Sequence, residues 1–203
     1  MTIANGTMKS QILPASLLLM VLALTVGWQP AAQAHKGHGG PMVTFLKKKA
    51  TLRALLPEGA KFVKRKQRLN EEGDEWASKT YGVDLDESLY TYYLAKDRSS
   101  GKIIGGAIIT KATYRHGDIM IAVGLDAMGK VTKVALTAAS EKYIPDFEGT
   151  VGTGFLDRYT GMTLADLVQN AKDQENAGKP ERLFATKLRD AAVLLAAFMR
   201  NAK

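Results

Sequence analysis

GKIIGGAIITKATYRHGDIMIAVGLDAMGKVTKVALTAASEKYIPDFEGTVGTGFLDRYTG, residues 101–161, decides the fold. Three apolar runs rich in β-branched residues, 102–110, 118–125 and 130–137, are separated by short polar turns, the pattern of consecutive strands. Upstream, the tyrosine-rich run 89–95 and the turn 97–101 add a fourth strand, so the chain predicts two hairpins in succession and an antiparallel meander. Gly105 and Gly106 fall inside the second strand, where glycine marks a bulge or the close approach of another group. In the last strand Val131, Val134 and Leu136 do not alternate strictly, which predicts an irregular face.

Beyond residue 140 the two-residue period stops. Gly149-Thr150-Val151-Gly152-Thr153-Gly154 places three glycines beside two hydroxyls, a composition that suits either a mobile surface loop or backbone amides approaching an anion or a flat ring. Residues 155–161 read as a helical turn closed by Gly161, 164–170 as a helix, 172–180 as a polar loop, and 187–200 as a final amphipathic helix with Thr186 at its start. A hydroxyl there is either a plain N-cap or, with Lys187 and Arg182, part of a phosphate site at a helix N-terminus. The expected fold class is α+β, an antiparallel sheet flanked by helices in a single domain over 60–203.

Towards the N-terminus, Lys9, the apolar run 17–26 and Ala32-Gln33-Ala34 match the three regions of an export signal, which assigns residues 1–34 to a signal peptide and the remainder to the periplasm. Counted over 12–28, the same stretch approaches the lower limit of an uncleaved membrane anchor. The segment 35–59 then comprises a flexible leader and an amphipathic helix. Its first residues offer a second chemistry: His35 and His38, with the amine freed by cleavage, suit Cu(II). The helix, over 43–56, ends before Pro57 and carries Lys47, Lys48, Lys49 and Arg53 among its leucines; it packs on the domain or touches a membrane surface. An edge strand over 60–69 follows, guarded by its lysines, then an acidic turn at 71–75 and a short helix over 76–81.

Composition excludes several functions. With no cysteine in 203 residues, the chain has no thiolate for iron–sulfur clusters, c-type haem or nucleophilic catalysis. Three histidines, two of them in the leader, leave no Ser/His/Asp triad to argue. A formal charge of +8 favours an acidic partner surface, and no nucleic-acid motif accompanies it.

The order of elements resembles the FMN-binding domain of periplasmic flavin subunits in the Rnf and sodium-translocating quinone reductase complexes. The likeness runs through Leu56-Pro57-Glu58-Gly59-Ala60, the strand before Gly101, Gly105-Gly106 and the hairpin at 121–136. It is most specific at Glu141, similar to the glutamate that opens the family's glycine-rich loop, and at Phe155-Leu156-Asp157-Arg158-Tyr159-Thr160-Gly161, similar to its FLDQF-x-G segment. The family's Ser-Gly-Ala-Thr run, whose threonine takes FMN through a phosphoester in many members, falls on Leu183-Phe184-Ala185-Thr186, where only Ala185 and Thr186 match. The resemblance implies an electron-transfer module rather than a stand-alone enzyme, holding FMN non-covalently more readily than covalently. It also implies a soluble or membrane-bound redox partner. It assigns the cofactor to Glu141, Gly152, Thr153, Gly154, Thr186 and Lys187. With Leu183 and Phe184 in place of small residues, the alternative is a flavin-free accessory subunit that kept the fold.

Overall fold

The computed structural model describes residues 39–202; the expected signal peptide and the proposed metal ligands His35 and His38 lie outside these residues. Its centre is the meander. Strands β1 (Met42–Thr44), β2 (Lys61–Gln67), β3 (Tyr90–Lys96), β4 (Ile103–Tyr114), β5 (Gly117–Asp126), β6 (Val131–Ser140) and β7 (Gly154–Phe155) form one sheet in the order β1-β6-β5-β4-β3-β2, with β7 also on β6. Every pairing is antiparallel, so the chain is an α+β fold of the expected kind.

Both sequence irregularities have a structural cause. In β6 the residues turned to the main core are Val131, Val134, Leu136 and Ala139, and the pairing with β5 shifts register between Met120 and Ile121 and again between Gly124 and Leu125. Each shift is the extra residue of a bulge, which restores the inward face after a step of three. Gly105 stands beside another shift, between Ala95 and Lys96, and a Cβ on it would lie 2.7 Å from the Leu125 carbonyl. Gly106 meets the last helix instead: a Cβ there would lie 2.8 Å from the sulfur of Met199.

Among the described residues five helices accompany the sheet: α1 (Lys48–Leu55), α2 (Glu71–Tyr81), α3 (Ile144–Glu148), α4 (Leu164–Asp173) and α5 (Lys179–Asn201). The largest hydrophobic cluster lies between the sheet and α5, where Tyr92, Ile108, Ile121, Val123 and Leu136 meet Leu188, Leu195 and Phe198. Phe198 stacks on Tyr92 at 4.5 Å between ring centres with planes 8° apart. The buried centre of the opposite face is Ala95, Ala107, Ala122 and Ala135, flanked by Tyr93, Ile104 and Ile109, and the end of the short α1 places Leu55 and its cap Leu56 over it.

Four segments differ from the sequence reading. The region expected as one helix over 43–56 divides into β1 and α1, because Met42, Val43 and Thr44 pair with Ser140, Ala139 and Ala138. The acidic segment 71–75 is not a turn but the start of α2, capped by the Asn70 side chain on the Gly73 amide, with Glu71, Glu72 and Asp74 in the first turn where the helix dipole favours acids. Residues 155–161 do hold a helical turn closed by Gly161, at φ +84°, but it is a 3₁₀ turn confined to Asp157–Tyr159 and follows the end of β7 at Phe155. The last helix begins at Lys179 rather than Lys187.

Candidate functional site

The expected cofactor residues sit on three separate elements. Glu141 opens a 3₁₀ turn at the end of β6, exposed, with its amide donating to the Pro41 carbonyl at 2.9 Å. Gly152 and Gly154 have φ values of +84° and +113°, and Gly154 pairs with Leu136. Leu136 lies four residues before Ser140, so the loop joins β6 about 13 Å from the turn that carries Glu141. Thr153 is exposed beside it. Thr186 and Lys187 belong to the interior of α5, and the Lys187 ammonium sits 3.3 Å from Asp190. Among the described residues no hydrogen bond or ion pair joins Glu141, Thr153 and Thr186.

The glycine-rich loop is fastened to its own surroundings. The Gly152 amide donates to the Phe147 carbonyl at 2.5 Å, the Arg158 guanidinium to the Thr150 carbonyl at 2.8 Å, and the Thr150 hydroxyl to the Asp146 carbonyl at 3.3 Å. Gly152 and Gly154 therefore serve positive-φ bends and strand pairing, while Gly149, at φ −82°, ends α3. The loop's neighbour Tyr159 meets Phe184 of α5 with ring centres 6.0 Å apart, and both are buried, as are Tyr143 and Phe147 against Tyr114. What remains is a polar hollow of about 220 Å³ that includes Thr150, Arg158, Tyr159 and Glu181, below the range of about 300–1,000 Å³ that small-molecule sites occupy.

Nor does the start of α5 fit a phosphate. Thr186 is the eighth residue of the helix, so its amide is committed within the helix and its hydroxyl caps nothing at the terminus. The true terminus has Gly178 as its cap, Pro180 in the first turn and the Glu181 carboxylate folded back against Gly178. One Glu181 oxygen is buried without a hydrogen-bond partner among the described residues. A carboxylate in that place satisfies the positive end of the dipole and repels a phosphate. Leu183 is partly buried and Phe184 fully so, both in the core. Thr186 therefore stands inside a helix and not at its end, with Leu183 and Phe184 packed into the core beside it.

Two hollows of more than 600 Å³ have no counterpart in the sequence reading. The first, about 690 Å³, lies between residues 84–91, the later part of β4 and the middle of α5, and Lys187 is on its wall. Within it the Tyr90 hydroxyl donates to Asp86 at 2.6 Å and the Ser88 amide to the same oxygen at 2.8 Å. Hydrogen bonds from Ser88 and Tyr90 hold the Asp86 carboxyl below the usual carboxylate range, while burial and the bond to Asp86 push the Tyr90 phenol up. Asp84, Asp86 and Asp190 face Lys111 and Lys187, so the cleft is acid-rich and its lysine near Thr186 is already paired. Among the described residues no group of three or more acids and histidines is arranged to hold a metal ion.

The second, about 620 Å³, lies between α1 and the outer strand β2 on the alanine face. Leu52, Ala60 and Phe62 line it, and Lys48, Lys49, Arg53, Lys61 and Arg98 surround them. The only signal for it in the sequence was the density of lysine and arginine in 47–68. None of the described helices is long and apolar enough to cross a membrane. Comparison of the chain with protein-family models, with curated proteins and with solved structures finds no match.

Proposed function

We propose that the chain is an exported accessory module that retains the element order of the flavin domain without its flavin-attachment site, and that it works by binding a partner of a redox or other extracytoplasmic assembly. The observation that carries this reading is the position of Thr186 inside α5, with Phe184 in the core and Glu181 at the helix start. The test is reconstitution: full-length protein is incubated with FMN, desalted, and its visible spectrum recorded before and after acid precipitation. The expected result is no retained flavin absorbance in either fraction.

A second reading, a non-covalent FMN electron-transfer module, draws on one observation. The cleft of about 690 Å³ beside Lys187 is large enough for a nucleotide-sized ligand. Its three aspartates disfavour a phosphate dianion, which is why it ranks second. Stoichiometric flavin that survives desalting but is released by acid establishes this reading in place of the first. Exchange of Lys187 for Glu then lowers FMN affinity.

A further inference from the structure

We infer that the groove between α1 and β2 is a docking site for an extended acidic segment of a partner protein, which lies along the free edge of β2. This inference rests on the reading that the module functions by binding.

Charge placement is the first argument. α1 has no acidic residue in its first turn; Lys48 and Lys49 occupy it, preceded by Lys47 as a cap whose side chain makes no capping bond. Cations at a helix N-terminus oppose the dipole, so the helix itself does not explain them; Lys48 rests over the Tyr93 ring at 5.3 Å and the Arg98 guanidinium donates to the Gly59 carbonyl at 2.8 Å, contacts that leave their charges unneutralised. Lys61 and Arg98 come from two other segments yet converge on the same hollow. Among the described residues none of Lys48, Lys49, Arg53, Lys61 or Arg98 has an ion-pair partner. Of the acids in the turns that adjoin the groove, Asp97 is occupied by the hydroxyls and amides of Ser99 and Ser100; Glu58 is exposed on the turn after α1.

Shape and backbone supply the rest. β2 is the last strand of the sheet and no described residue pairs with its outer edge. An added strand takes main-chain hydrogen bonds from such an edge and places alternate side chains on one face, which is how sheet edges capture extended peptides. On this face a strand with alternating acids would meet the cations, and its apolar residues would meet Phe62, which is 42% exposed, and Leu52. The lysines that keep a second copy of β2 from pairing select for an acidic strand by the same charge. An anionic bilayer is the poorer occupant, because a membrane-binding face projects its apolar residues beyond its cations, whereas here Leu52 and Ala60 are recessed between helix and strand.

The test uses the full chain and a fluorescein-labelled peptide alternating glutamate and valine, with a lysine–valine peptide and phosphatidylglycerol vesicles as the other arms. The acidic peptide is expected to bind, to weaken as salt rises, and to protect β2 amides from hydrogen exchange. The double variant Lys49→Glu, Arg53→Glu is expected to weaken it about tenfold. Equal binding of both peptides, binding of neither, vesicle binding without peptide binding, or protection confined to another strand overturns the proposal. Failure here with no flavin retained leaves the accessory reading standing, whereas retained flavin removes that reading whatever the peptide does.

Discussion

The two faces of the sheet are made from the same strands and by opposite means. Along β3, β4 and β5 the residues that meet α5 are large: Tyr92, Leu94, Ile108, Ile119, Ile121, Val123 and Leu125. Among their immediate neighbours in sequence, turned the other way, the buried ones are the small Ala95, Ala107, Ala122 and Gly124, with the larger Tyr93 and Ile109 only partly buried around them. Large side chains hold a long helix at ordinary packing distance and bury the area that stabilises the domain. Small ones let the eight-residue α1 come down almost onto the backbone, so that the Thr132 hydroxyl donates to the Leu55 carbonyl at 2.7 Å. One face supplies stability; the other positions a short basic helix.

The strongest test of that division is truncation on the large-residue face. Phe198 is 1% exposed and stacked on Tyr92. Phe198→Ala should lower stability by about 3–5 kcal/mol through lost burial and the cavity left behind, measured by urea unfolding. A loss well under 2 kcal/mol would mean that the face does not carry the stability assigned to it.

Enlargement on the alanine face should act differently. A Cβ at Gly124 would lie 2.5 Å from the Thr132 hydroxyl oxygen and 2.6 Å from the Leu55 carbonyl. Gly124→Ala is expected to cost about 1–3 kcal/mol and to raise hydrogen exchange in α1 while leaving α5 amides protected. Equal loosening of both helices would show that the two faces are not separable.

These faces also separate what the sequence makes legible from what it hides. The meander was readable because alternation and turn residues are local properties of each strand, and even the broken alternation of β6 announced its bulges. The start of α5 was readable in principle: Lys179-Pro180-Glu181 puts proline and an acid in a first helical turn, and Phe184 continues the spacing of Leu188, Ala191 and Leu195. It reads as a loop only when polar composition outweighs those signals, and that choice moved Thr186 from the helix interior to a helix end. β1 and β7, three and two residues long, exist because β6 pairs with them, and nothing in their own sequence marks a strand. The basic groove was visible only as a charge run, because its cations come from α1, β2 and the turn after β3.

A smaller effect probes the aromatic filling on the large-residue face. Tyr114 is 3% exposed, contacts the rings of Tyr143 and Phe147, and donates to Asp146 at 2.8 Å. Burial and the hydrogen bond to Asp146 push its phenol up to about 12. Because the unfolded phenol titrates near 10, the stability it contributes is intact below about pH 10 and is lost as pH rises towards 12, the unfolded chain giving up its proton first. Tyr114→Phe should cost about 1 kcal/mol at neutral pH and remove that part of the alkaline decline. An unchanged decline in the variant would place the titrating group elsewhere.

The smallest expected effect bears on why the alanine face is basic at all. If the α1 cations served the fold, reversing one would destabilise it. Lys49 is exposed, has no ion-pair partner among the described residues, and sits in the first turn, where a carboxylate is the favoured charge. Lys49→Glu should therefore leave stability unchanged or raise it by about 0.3–1 kcal/mol, read from the same urea transition as Phe198→Ala. A clear loss would assign Lys49 a structural partner and take the strongest argument away from the groove. A gain means that the natural lysine lowers helix stability where it stands, and a residue that does so on a surface of like charge is accounted for by what it attracts.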